Sequence, residues 1–134
     1  NKVYFPDPFV FWLFYSYIHG SLNYYKLARE RLHDGRVFAA LVENVVLSQL
    51  IKTESNKITY WRDNIKKKEI NFIVESGKKR TPLLIRYNQE IKPADLEIFK
   101  LAGFKRGVII SRDQLKTGGK IKIMSLIYFL LFYK

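Results

Sequence analysis

Glu69–Tyr87 reads EINFIVESGKKRTPLLIRY, and its interpretation decides the fold. Two apolar runs, Glu69–Glu75 and Thr81–Tyr87, are rich in β-branched residues and separated by Ser76-Gly77, a turn signal. A tight turn near Gly77-Lys78 makes them an antiparallel pair. The pairing then sets Asn71 opposite Leu84, with Arg86 two residues further along. Because side chains alternate along a strand, Asn71, Leu84 and Arg86 are predicted to share one face. Ile70, Phe72, Val74, Leu83 and Ile85 are predicted to take the other.

Working outward, Lys57–Arg62 is a third strand candidate, joined to Glu69–Glu75 across Asp63-Asn64, so a three-strand meander is expected. Downstream, Lys92-Pro93-Ala-Asp95 opens a helix that runs through Leu101 and closes at Gly103. Arg106–Ser111 reads as a strand buried on both faces through Val108, Ile109 and Ile110. A Gly118-Gly119 turn, a strand Lys120–Met124 and an apolar terminal helix or strand complete the chain. A helix between the third and fourth strands implies a crossover connection. The expected class is therefore α/β, with a central mixed sheet of about five strands flanked by helices.

The first third of the chain reads as helical. Lys2–Phe5 looks extended, and Pro6-Asp7-Pro8 opens an aromatic helix (Phe9, Phe11, Trp12, Phe14, Tyr15, Tyr17) that ends at Gly20. Ser21 is expected to cap a second helix to about His33. A third, Val37 to about Lys52, is apolar on nearly every side and should be buried. Glu43 inside that run is an unusual position for a carboxylate. We expect a single domain over 1–134, in which 1–34 is a helical lead-in and 35–134 the sheet core. The sequence starts at Asn1 rather than at a methionine, which suggests a fragment of a longer chain.

Apolar residues make up 48% of the chain and aromatics 16%, enough for a real core. There is no cysteine, so disulfide frameworks and thiolate metal sites are excluded, in keeping with a cytoplasmic protein. The apolar runs Phe9–Ile18 and Leu126–Tyr133 fall short of the ~20 residues of a membrane span, and no membrane partner is expected. The net charge of +12 is uneven: residues 68–134 carry 14 basic and 6 acidic side chains, residues 1–67 carry 10 and 6. Such a basic chain attracts polyanions, DNA or RNA among them, although charge also serves plain solubility. His19 and His33 have no ligand-spaced partners, so no zinc site is expected. Gly118-Gly119-Lys120 lacks the spacing and the following Ser or Thr of a phosphate loop.

Five segments taken in order are informative: Lys2-Val-Tyr-Phe-x-Asp-Pro-Phe9, Leu41-Val-Glu-Asn-Val-Val46, Tyr60-Trp61-Arg62, Glu69-Ile-Asn-Phe72 and Leu84-Ile-Arg-Tyr87. Together with Gly107-Val-Ile-Ile110 and the apolar tail, this order resembles the C-terminal domain of archaeal AAA+-type ATPases. That domain has the PD-(D/E)XK, or restriction-endonuclease-like, nuclease fold. The resemblance implies a divalent-metal site in which a helix gives a glutamate, the second strand an aspartate and the third strand a Glu-x-Lys. Glu43 matches the helix glutamate, whereas the other three positions hold Asn71, Leu84 and Arg86. Magnesium-type sites need hard anionic oxygens. An amide, an aliphatic group and a permanently charged guanidinium supply none. The resemblance therefore implies a nuclease scaffold with a degenerate motif, no catalytic residue and no metal or other cofactor in this domain. It also places ATP and magnesium in an upstream ATPase domain, itself an expected partner. Arg86 is expected either to pair with Glu43 or to contact phosphate.

The remaining functional signal is basic. Lys66, Lys67 and Lys68 sit at one end of the meander, Lys78, Lys79 and Arg80 at the other, and Lys105 and Arg106 precede the fourth strand. Turn lysines are ordinarily solvated. Their functional reading, with Arg86, is sequence-independent phosphate contact. Tyr60 and Trp61 are candidate stacking groups, although strand aromatics more often fill cores. The leading expectation is a non-catalytic module that binds nucleic acid or regulates the ATPase through protein contacts. A nuclease recruiting a displaced carboxylate (Glu69, Glu75 or Glu90) and a domain that forms homo-oligomers are the alternatives.

Overall fold

The computed structural model describes residues 2–5, 7–53 and 57–133. It divides into two compact units, Asn1–Gln49 and Leu50–Lys134.

The first unit is helical. In α1 (Pro8–Ile18) the Asp7 carboxylate accepts the Phe9 N–H at 2.7 Å, and Pro8 occupies the first turn, where no N–H is needed. Gly20 takes φ +64°. The Gly20 N–H bonds the Tyr17 carbonyl and the Ser21 N–H the Ser16 carbonyl, closing α1 with a Schellman motif. Ser21 is thus committed to the end of one helix and does not cap the next. The cap of α2 (Tyr24–Arg31) is Asn23, whose side-chain oxygen accepts the Lys26 N–H at 3.0 Å. In α3 (Gly35–Lys52) Val37, Val42, Val46 and Leu50 are buried, as its apolar pattern predicts. The buried Asn44 is satisfied on both sides of its amide: it accepts the Phe5 N–H at 2.6 Å and donates to the Ala40 carbonyl at 2.8 Å. These bonds lay the extended Lys2–Phe5 segment along α3.

The second unit is an α/β domain built on a five-strand mixed sheet in the order β1-β2-β3-β4-β5. Its strands are β1 (Lys57–Asp63), β2 (Lys68–Ser76), β3 (Lys79–Arg86), β4 (Gly107–Ser111) and β5 (Ile121–Ser125). The first three form the antiparallel meander. Gly77, at φ +58°, and Lys78 make the two-residue turn between Ser76 and Lys79. Helix α4 (Pro93–Leu101) carries the chain from β3 to the parallel strand β4, so the crossover is present. It packs Ile98 and Phe99 onto Ile73, Leu84 and Ile109, burying one sheet face.

One feature of the meander departs from simple alternation. The β1–β2 register slips between Thr59 and Trp61, so that Tyr60 faces both Asn71 and Phe72. This bulge reverses the parity of what precedes it on β2. Ile70, expected on the face opposite Leu84, joins Leu84 and Ile73 in the cluster beneath α4. At the bulge the backbone pairing of β2 with β3 stops at Phe72–Leu83. The Asn71 side-chain oxygen takes over, accepting the Ile85 N–H at 2.9 Å.

Strands β4 and β5 are also parallel, although only residues 112–120 join them. Parallel neighbours usually need a longer crossover. Here the link runs back along the outer edge of β5. Lys116 exchanges both backbone hydrogen bonds with Ile123 at 2.8 Å each, covering part of the edge. The terminal segment is helical: in α5 (Leu126–Phe132) the Ser125 hydroxyl accepts the Tyr128 N–H and Phe129 is fully buried.

Candidate nucleic-acid interface

Strands β3, β4 and β5 run in the same direction, and each is entered through basic residues. The ladders pair Leu83 with Val108 and Gly107 with Ile121. Extending them by two residues and by one puts Thr81, Arg106 and Lys120 in a row. Parallel pairing therefore gathers three sequence-distant basic segments at one end of the sheet. A cleft of about 740 Å³ lies there, with Lys79, Arg80, Arg106, Lys120 and Lys122 in its wall beside Thr81, Met124 and Tyr133. No carboxylate lines it among the described residues. Burial lifts the Tyr133 phenol above its ordinary value of 10.0, so Tyr133 stays neutral and able to donate a hydrogen bond. Arg80 is held by the Glu75 carboxylate at 3.1 Å, with its guanidinium 5.3 Å from the centre of the Phe104 ring. Lys105 lines an adjoining apolar groove of about 560 Å³ that also includes Lys120 and Phe104.

The opposite end of the meander holds a second basic grouping. Lys67, from the β1–β2 turn, and Lys68, at the start of β2, line a polar pocket of about 370 Å³ with Arg62, Glu69, Arg86 and Gln89. The two ends belong to opposite turns of the meander and do not merge. Lys66 and Lys78 are exposed turn residues that line neither site. Of the residues singled out by sequence, Lys79, Arg80 and Arg106 thus meet at one end, and Lys67, Lys68 and Arg86 at the other. Lys120, Lys122 and Arg62 escaped the sequence reading. The first two carry an alternating Lys-x-Lys signal at the mouth of β5, but it gains meaning only from the parallel pairing.

The positions matching the nuclease motif are each engaged elsewhere. Glu43 accepts from Lys2 Nζ at 3.2 Å and from the Tyr4 hydroxyl at 3.0 Å. Asn71 holds Ile85, and Leu84 is fully buried in the core. Arg86 does not pair with Glu43. Its Nε donates to Asp95 at 2.7 Å and its Nη1 to the Ile85 carbonyl at 2.9 Å. Asp95 is available because it sits in the first turn of α4, where its other oxygen accepts the Lys92 N–H at 2.8 Å. The three sheet positions offer no carboxylate, so they do not fit a divalent ion. Of the displaced carboxylates, Glu75 is tied to Lys57 and Arg80, Glu90 is exposed, and Glu69 lies in register with Arg62. Among the described residues no three His, Cys, Asp or Glu side chains group as a metal site would require. Trp61 packs against the core under α4, whereas Tyr60 is 67% exposed.

The family model described as "Domain of unknown function (DUF4143)" matches residues 38–128, from the first turn of α3 into α5. The chain belongs to the DUF4143 family. The match spans about two-thirds of the 134 residues and takes in every strand of the sheet, every basic residue of both sites and all four motif positions. No curated protein and no solved structure matches this DUF4143 chain. Among the described residues no helix of the DUF4143 chain is long and apolar enough to cross a membrane.

Proposed function

We propose that this DUF4143 domain is a non-catalytic nucleic-acid-binding module on a restriction-endonuclease-like scaffold, working in the cytoplasm as the C-terminal part of an ATPase. The observation that carries the reading is the cleft at the entry end of β3, β4 and β5, lined by five cationic side chains and, among the described residues, by no carboxylate. Cations on rigid strand ends track a phosphate backbone without reading its sequence. The non-catalytic part of the proposal is supported by the engagement of Asn71, Leu84 and Arg86 in structural roles. Without anionic oxygens at those positions, nothing holds the metal that would activate water for phosphodiester cleavage.

The test is binding of labelled oligonucleotides across a salt series. The triple variant Lys79→Gln, Arg106→Gln, Lys122→Gln should weaken binding uniformly across sequences and lower the salt slope by about 2–3, since each neutralised phosphate contributes about 0.7–0.9. An unchanged slope would sink the reading. So would magnesium- or manganese-dependent cleavage of DNA that is abolished by Glu43→Ala.

A second reading is assembly with like chains, favoured by the exposure of Phe9, Phe14, Tyr17 and Ile18 on α1. A monomer by light scattering would dismiss it.

A further inference from the structure

The polar pocket at the carboxyl end of β3 is a separate feature from the cleft, and its construction is different. It lies where the sheet changes from antiparallel pairing (β2–β3) to parallel pairing (β3–β4). Arg86 is fixed there from two sides. Asp95 holds its Nε and the Ile85 carbonyl its Nη1, and the side chain is only 19% exposed. Its Nη2 donates to no group among the described residues, so one edge of a pre-oriented fork faces the pocket with Lys67, Lys68, Arg62 and Gln89 around it. Lys67 has φ +50°, the only positive φ among the described non-glycine residues. That conformation costs a non-glycine residue free energy, and strain of this kind concentrates at ligand-binding positions.

The charges define the ligand. Four cations (Arg62, Lys67, Lys68, Arg86) stand against Glu69 in the wall and Asp95 behind Arg86, leaving a local excess of two. A planar guanidinium edge flanked by ammonium groups and an amide suits a compact oxyanion with several acceptor oxygens. We propose that this pocket binds a phosphate monoester dianion, with Arg86 as its fixed anchor, Lys67 reaching it from the turn and Lys68 from the start of β2. The chemistry is shared by a phosphorylated strand end and a free phosphorylated small molecule. The site is independent of the cleft at the other end of the sheet.

The experiment is an amide-resolved NMR titration of the full chain with inorganic phosphate, the 5′-phosphorylated dinucleotide pTpT and unphosphorylated TpT. We expect saturable shifts at Lys67, Lys68, Arg86 and Gln89 with phosphate and with pTpT. Lys67→Gln/Lys68→Gln, at the last turn residue and the first residue of β2, should weaken both about tenfold. Arg86→Gln should abolish them, but it also strands Asp95, so the turn variant decides the matter if Arg86→Gln does not fold. Tighter binding of pTpT than of phosphate identifies a strand end as the source; equal affinity identifies a free phosphorylated molecule. The proposal is overturned if TpT binds as well as pTpT or if phosphate gives no saturable shift. It is equally overturned if the turn variant changes affinity no more than Lys79→Gln/Lys122→Gln.

Discussion

A single amide bridges the sheet where its ladder is interrupted. Where the β2 bulge interrupts the ladder, the Asn71 side-chain oxygen takes the Ile85 N–H that backbone pairing leaves open, in a position only 6% exposed. Asn71→Leu keeps the branched shape but removes the acceptor, so the buried N–H loses its partner. Urea unfolding should show a loss of about 1–3 kcal/mol, and the Ile85 amide should lose hydrogen-exchange protection. This residue also marks the limit of what sequence could show. The alternation along β3 that sets Leu84 and Arg86 on the face covered by α4 was readable. The extra residue that brings Ile70 to the same side was not, because a bulge without glycine leaves no compositional trace. The partner of Arg86 was half-visible: Asp95 in the first turn after Lys92-Pro93 announces a helix cap, but its second oxygen is assigned only once α4 packs on the sheet.

Element boundaries were the most legible level, and each strand lies within two residues of its expected span. Periodicity and turn residues act locally, which is why they carry over. Helix caps were less so, because Ser21 and Asn23 both suit the role and the choice depends on how α1 ends. The direction of β5 was invisible: a link as short as residues 112–120 ordinarily implies an antiparallel hairpin, and only the return along the outer edge permits parallel pairing. That arrangement depends on Lys116. Lys116→Pro deletes the N–H that bonds the Ile123 carbonyl and uncovers the edge, so we expect about 1–2 kcal/mol lost stability and concentration-dependent aggregation in light scattering. Tyr133, which follows α5, adds a pH signature. Its phenol titrates above 10.0 in the folded state because burial disfavours the phenolate. The unfolded chain therefore releases this proton first as pH rises, and the contribution of Tyr133, intact below pH 10, declines above it. Comparing urea stability at pH 9 and 11, the difference between the native chain and Tyr133→Phe should move against the native chain.

Across the whole molecule, charge and architecture divide together. Residues 50–134 hold 19 basic and 8 acidic side chains, a net +11, against 5 and 4, or +1, in residues 1–49. The excess visible in the sequence is thus concentrated in the sheet unit, and the family match covers most of that unit. Sequence placed the charge but not its convergence, since clusters about 25 and 14 residues apart become neighbours only through the β3–β4 and β4–β5 ladders. Folding without a ligand therefore does work against like-charge repulsion at the mouth of three strands, and a bound polyanion returns it. Occupancy and stability are linked: a ligand at 100 times its Kd adds about 2.7 kcal/mol to the native state. Added salt should then act in two opposite directions on one molecule. It should raise the melting temperature of the free chain by screening the crowd of cations, and lower that of the complex by competing for the same positions.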